Sequence, residues 1–237
     1  MVNTHGPKLV ILGKQGAGKG TQCSRLARHY VVPHISTGDM FRAVMRTETE
    51  LGQRVRGILD SGNLVPDELT LQVVGERLEQ DDTRTHGFIF DGFPRTIPQA
   101  ESLGKILDPS NIDMAIDLVI PTEIAVERLG GRRVCRDCQT IYGRTSPSRI
   151  DGICDYCGGE VVQRDDDTEE AIRRRLALYE RETAPIIDWY RSQNLLVTVD
   201  GMGEADDVTQ RLFDAIDKRC GRMAKAPTIT DTSVDAS

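Results

Sequence analysis

Aromatic side chains are scarce in this chain: five Phe, five Tyr and one Trp make up 5% of its 237 residues. Its core must therefore rest mainly on Leu, Ile, Val and Ala. Nowhere does the sequence hold the roughly 20 consecutive apolar residues needed to span a bilayer. The opening stretch MVNTHGPKLVIL has neither a long apolar run nor a small-residue cleavage site, so a cytoplasmic location is expected. Excess basic charge is missing too. Thirty Lys and Arg face 37 Asp and Glu, a formal net charge of −7, which argues against general nucleic-acid binding but permits a local basic site. The remaining composition, 38% hydrophobic and 28% charged, is that of an ordinary globular protein, and the length suits one large domain or one domain with insertions.

Short apolar runs alternate with helical spacing along most of the chain. Strands are predicted at Lys8–Leu12, His34–Ile35, Phe88–Phe90, Ala115–Ile120 and Leu195–Val199. Helices are predicted at Leu51–Leu59, Asp67–Leu78, Ile97–Leu107, Glu123–Leu129, Glu169–Tyr190 and Glu204–Arg219. Such alternation implies an α/β fold, three layers with a central parallel sheet of about five strands. Two regions interrupt it. Residues 36–65 read as helices without a strand, and residues 131–167 are rich in Gly, Cys, Asp and Arg with no sustained period. Both are expected to be mobile insertions on a core of residues 1–35, 66–130 and 168–220, with 221–237 a disordered tail.

The strongest chemical signal follows the first strand. Gly13-Lys-Gln-Gly-Ala-Gly-Lys-Gly-Thr21 opens a helix, and successive backbone N–H groups there can curl around phosphate oxygens at the positive helix end. Gly16, Ala17, Gly18, Gly20 and Thr21 supply that cradle, and Lys19 brings a mobile cation to the terminal phosphates. Four glycines and a lysine exceed what a plain tight turn requires. Two further strings, Ser36-Thr-Gly-Asp-Met-Phe-Arg42 and Asp91-Gly-Phe-Pro-Arg-Thr-Ile-Pro-Gln99, each carry an arginine near the carboxyl end of a predicted strand, where ligands bind in parallel sheets. Arg42 and Arg95 can each clamp a phosphate through a planar fork of donors. Alone, either would read as a solvated surface residue; beside the loop they read as a second phosphate site.

Cysteine spacing is the other strong signal. Cys135-x2-Cys138-x15-Cys154-x2-Cys157 suits four thiolates around one tetrahedral metal, with zinc favoured over iron. Four thiolates close the coordination shell, so that metal is structural. Two disulfides are less compatible with the expected compartment. Cys23 and Cys220 read as inert helix residues, and His5, His29, His34 and His86 show no pairing suggestive of acid–base work.

The GKGT ending of the loop, the two arginine strings and the four-cysteine insertion together resemble the nucleoside monophosphate kinases, adenylate kinases in particular, from about Lys8 to Arg219. Gln15 stands where that family usually has Pro. The resemblance implies transfer of the terminal phosphoryl group of ATP to AMP, giving two ADP, in a monomeric protein with no nucleic-acid or membrane partner. It assigns Thr37, Arg42, Asn63, Leu64, Val65, Gly92, Phe93, Pro94, Arg95, Gln99, Arg164 and Arg175 to AMP. To ATP it assigns Arg128, Arg132, Ile141, Tyr142 and Gly203, besides the loop. Asp91 would hold Mg²⁺ through water, and Lys19, Arg95, Arg132, Arg164 and Arg175 would line the transferring group. AMP phosphate is already anionic, so no general base is implied, and catalysis reduces to alignment and charge neutralisation. The alternatives are a related kinase using GTP as donor or UMP or CMP as acceptor, and a non-catalytic nucleotide-binding zinc-ribbon protein.

Overall fold

The computed structural model describes residues 6–47, 49–60, 63–164 and 167–221. His5 and the tail beyond Gly221 lie outside the described residues. Chain order begins β1 (Lys8–Leu12), α1 (Lys19–Tyr30), β2 (His34–Ser36), α2 (Thr37–Met45), α3 (Glu50–Asp60), α4 (Asp67–Leu78), α5 (Asp81–His86) and β3 (Phe88–Asp91). It continues α6 (Ile97–Leu107), β4 (Met114–Val119), α7 (Thr122–Gly130), β5 (Arg133–Cys135), β6 (Ile141–Tyr142) and β7 (Val161–Val162). Last come α8 (Glu169–Leu178), a π-helical turn at Tyr179–Thr183, α9 (Ala184–Ser192), β8 (Leu196–Asp200) and α10 (Ala205–Cys220).

Strand alternation builds the three layers. In β1, Leu9 and Ile11 face one side of the sheet and Val10 and Leu12 the other, all buried. The first pair packs with Leu26 of α1, Leu129 of α7, Leu176 of α8 and Leu212 of α10. The second packs with Val74 of α4, Leu103 of α6, and Ile186 and Tyr190 of α9. The five parallel strands run in the order β2-β3-β1-β4-β8. Apolar residues at helical spacing, such as Val208, Leu212 and Ile216 of α10, explain why these segments cover the sheet. Leu212 is fully buried, and truncating such a Leu to Ala costs about 2–5 kcal/mol.

Helix starts follow local chemistry. The hydroxyls of Ser36, Thr96 and Thr168 accept hydrogen bonds from the amides of Asp39, Gln99 and Ala171, capping α2, α6 and α8. Pro66 sits just before α4, as its N-cap residue.

Residues 36–65 carry α2 and α3, whose Phe41 and Val55 share a small core with Val65, Leu69 and Val73. Residues 131–164 form a separate antiparallel sheet, β6-β5-β7, around Cys135, Tyr142 and Cys154. These strands of two or three residues are too short to show a period in the sequence. The short α5 was likewise not expected, and the helix predicted over Glu169–Tyr190 is divided by the π turn. No helix among the described residues is long and apolar enough to cross a membrane.

Candidate active site

Order reversal places the site. The connection from β1 runs into α1, whereas the neighbouring strands β3 and β4 come later in the chain, and ligands of such parallel sheets bind at the carboxyl ends of strands placed this way. Gly13–Thr21 lies at that edge. Gly18 caps α1 with φ 92°, a left-handed conformation that glycine adopts without strain, and open space lies where its side chain would be. Lys19 folds back over the loop, its Nζ donating to the carbonyls of Gly13 at 2.7 Å and Lys14 at 2.9 Å. Lys14 is held by Thr122 and Glu180, at 2.7 and 2.8 Å.

Asp91 ends β3 and directs Oδ2 toward Gly20 of the loop. Burial alone would raise its pKa, but His34, Lys19 and Arg95 overcome this and hold the carboxyl below its ordinary value. Lys19 shifts down, chiefly through burial; Asp91 opposes this, while Arg95 and Arg132 add to it. Burial also lowers Arg95, aided by Arg42, Arg175 and Arg164 and opposed by Asp91. Arg132 is lowered by burial against its bond to Asp167, with Arg164 and Arg175 adding to the fall. These mutual influences bring Lys19, Arg42, Arg95, Arg132, Arg164 and Arg175 into one electrostatic neighbourhood.

Several of these cations already rest on protein oxygens. Arg95 Nε donates to Gly92 O at 2.8 Å, and the Thr37 hydroxyl donates to the same carbonyl at 2.9 Å. Gly92 has φ 77°, a left-handed conformation that side-chain-bearing residues adopt only with strain, and an added Cβ would also crowd Arg95 Nη2. Arg42 pairs with Asp39. Arg132 makes a two-pronged contact with Asp167 at 2.7 and 2.6 Å, and Arg175 reaches the same carboxylate at 2.9 Å. Asp167 is 2% exposed. In sequence it was only an acid between two arginines; its fork geometry with Arg132 needs the fold.

Gln99 is also 2% exposed. Its Oε1 accepts the Arg95 N–H at 2.8 Å and its Nε2 donates to Asp67 at 2.6 Å. Asp67, at the start of α4, was not picked out from the sequence, where an acid at a helix start reads as a cap. Phe93 is fully buried against Phe90 in the sheet core, and Val65 is buried beside Phe41 in the core of the first inserted segment. Leu64 is half-buried and Asn63 lies at the exposed rim.

On the opposite side, both terminal nitrogens of Arg128 donate to Gly201 O at 3.3 Å, two residues before Gly203. Ile141 is exposed, with Cδ1 close above Gly20, so the small sheet overhangs the loop. Tyr142 turns the other way. It is buried, and its hydroxyl donates to Cys154 Sγ at 3.3 Å and accepts the Asp155 N–H at 2.8 Å. Arg133 donates to Arg132 O at 2.7 Å. Arg46, at the end of α2, donates to Arg136 O at 3.1 Å, joining the two inserted segments.

Cys135, Cys138, Cys154 and Cys157 converge, with all four sulfurs within 4.8 Å of one another. Cys135–Cys157 and Cys138–Cys154 separations are 3.4 and 3.5 Å, far beyond the roughly 2.05 Å of a disulfide. They approach the roughly 3.8 Å edge of a tetrahedron with metal–sulfur bonds of about 2.3 Å. The donor set and its geometry fit a closed four-thiolate metal site.

Comparison with known proteins agrees with this geometry. The family model for adenylate kinase matches residues 11–195. The adenylate kinase of Streptomyces avermitilis is 46% identical over 213 residues, covering 88% of this chain and 96% of that protein. Those of Finegoldia magna and Fervidobacterium nodosum are 45% and 47% identical, covering 89% and 88% of this chain and 99% and 96% of theirs. With its glycine loop, its converging cations and its four-cysteine sheet, the chain belongs to the adenylate kinase family.

Proposed function

We propose that ATP and AMP lie head to head in the crevice and exchange the terminal phosphoryl group, ATP + AMP ⇌ 2 ADP. The carrying observation is the convergence of Lys19 with five arginines at the carboxyl edge of the sheet. ATP takes the loop from Gly16 to Thr21, with its base between Arg128 and the turn at Gly203. AMP takes Thr37, Arg42, Asn63 to Val65, Gly92 to Arg95, and Gln99. Arg164 and Arg175 reach both.

The oxygens that now occupy these donors act as stand-ins. The Gly13, Lys14 and Gly92 carbonyls and the Asp167 carboxylate satisfy the cations until phosphate oxygens replace them, which avoids leaving buried charge unpaired. Positioning and charge neutralisation then lower the barrier without a proton acceptor. Mg²⁺, whose waters Asp91 would hold, supplies further neutralisation of the phosphates when bound. Zinc is the metal that best suits the four thiolates, and it would brace the lid without taking part in chemistry. Closure of residues 36–65 and 131–167 would exclude water as a competing acceptor. The working species is a cytoplasmic monomer.

A coupled assay of ADP formation, with ATP or GTP as donor and AMP, GMP, UMP or CMP as acceptor, tests the reading. ATP with AMP should be the best pair, and Lys19→Met should lose most turnover while keeping the fold. A preference for UMP or CMP, or unchanged turnover in Lys19→Met, would overturn it.

A further inference from the structure

A second cluster of metal-ligating side chains lies directly beneath the phosphate loop. Cys23 is one helical turn after Lys19 on α1, so its thiol hangs under the lysine. His34 opens β2 and Asp91 ends β3, and the parallel register pairs Ile89 with His34 and Asp91 with Ser36. The three side chains are thus delivered by one helix and two adjacent strands. One ligand atom from each lies within 4.8 Å of the others.

Two details favour a cation over a set of internal contacts. His34 Nε2 faces Asp91 Oδ2 at 3.6 Å, too far for a hydrogen bond. That nitrogen is nevertheless buried and, apart from this longer ion-pair contact with Asp91, has no hydrogen-bond partner among the described residues, an arrangement native proteins avoid unless something else satisfies the atom. A separation of 3.6 Å is close to the edge of a tetrahedron whose metal bonds are about 2.0–2.2 Å.

We propose that Cys23, His34 and Asp91 bind one thiophilic divalent cation, of the zinc and cadmium class, and that its binding blocks the adjoining loop. One sulfur, one imidazole nitrogen and one carboxylate oxygen leave a fourth position open, the donor set of a borderline-soft metal. Binding breaks the Cys23 S–H bond, forms the sulfur–metal bond and releases the proton to solvent. Thiolate and carboxylate together balance the charge of the cation. This offsets the repulsion of nearby Lys19, whose Nζ is drawn away toward the Gly13 and Lys14 carbonyls. The cation would hold the same Asp91 oxygen that faces Gly20, and so would compete with Mg²⁺-nucleotide. This inhibitory consequence rests on the kinase reading; the binding site itself does not.

The probe is Cd²⁺ added to the full chain after its four lid thiols have been filled with cadmium. Bound cadmium is counted by equilibrium dialysis and by the ultraviolet cadmium–thiolate band, and ADP formation is followed in parallel. The native chain should take up one more cadmium than Cys23→Ala or His34→Gln, while Cys220→Ala should behave as native. The inhibitory concentration should rise in both variants by at least the roughly tenfold that losing even an outer partner of a metal site costs. Equal uptake by native protein and both variants would overturn the site. Reduced uptake with unchanged inhibition would overturn its effect on the loop. If the native chain forms no ADP without cadmium, the kinase reading fails, yet the cadmium count still decides the site.

Discussion

Asp67 fixes which way round the Gln99 amide lies: one carboxylate oxygen accepts from Gln99 Nε2 at 2.6 Å, and the other accepts the Thr96 hydroxyl at 2.8 Å. With Oε1 taking the Arg95 N–H, the amide retains one N–H and one lone pair for a ligand, the pair that complements adenine N1 and its amino group. Asp67→Ala should therefore raise KM for AMP about tenfold, the equivalent of one charge-assisted hydrogen bond of about 1.5 kcal/mol, with little change in KM for ATP. Asp67→Asn keeps an acceptor for Nε2 and should recover most of the loss. Steady-state kinetics with each nucleotide varied will check this. A KM for AMP that stays native in both Asp67→Ala and Gln99→Ala would sink the idea that this amide reads the base.

Two of the four cysteines, Cys135 and Cys154, form the small sheet's core with Tyr142 and Val161, while Cys138 and Cys157 complete the thiolate set at the surface. Replacing Cys135 and Cys138 together by Ser should lower the thermal midpoint more than it lowers turnover at low temperature, because a closed four-thiolate metal site would brace this small sheet without taking part in phosphoryl transfer. Metal analysis and melting curves, with and without a chelator, provide the check. Native protein that carries no metal and melts unchanged with chelator would contradict it.

Asp117 lies in β4 with 7% exposure, and burial raises its pKa despite the opposing charges of Arg191, Lys19 and Lys14. Ionising it therefore costs more in the folded chain than in the unfolded one. That penalty is complete above the raised folded pKa and disappears as pH falls below the unfolded value of 3.8. Asp117→Asn should melt a few degrees higher at neutral pH, and the gain should shrink as the solution is acidified. Denaturation curves across pH will show whether the two lines converge; a constant or opposite gap would refute the assignment.

What could be read beforehand was what is local. The loop at Gly13–Thr21, the arginine strings and the cysteine spacing each carry their chemistry within a few residues, and the five strands announced themselves as short apolar runs. Partnerships across the fold were not legible. Asp67 and Gln99 are 32 residues apart, Arg132 and Asp167 are 35 apart, and nothing in either neighbourhood marks them as pairs. Cys23 read as an inert helix residue and His34 showed no pairing, because only the packing of α1 over β2 and β3 brings them to Asp91. Tyr142 was grouped with ATP by resemblance; its hydroxyl bonds Cys154, while its neighbour Ile141 lies over Gly20, and that orientation could not be read from the sequence. The lid strands stayed hidden for want of length.

The π turn at Tyr179–Thr183 has a consequence for how the two halves of the crevice stay in step. Before it, α8 buries Ile172 and Leu176 in one core layer; after it, α9 buries Ile186 and Tyr190 in the other. The wider coil rotates the apolar stripe, so that a single unbroken rod can straddle both sides of the sheet. Thr183 at its end donates to Arg95 O at 3.1 Å, while Arg175 sits two turns earlier on the same rod. Spacing between these two guanidinium groups is thereby set by a count of residues, and losing one from this stretch would swing them out of phase while leaving every side chain proposed to meet phosphate intact.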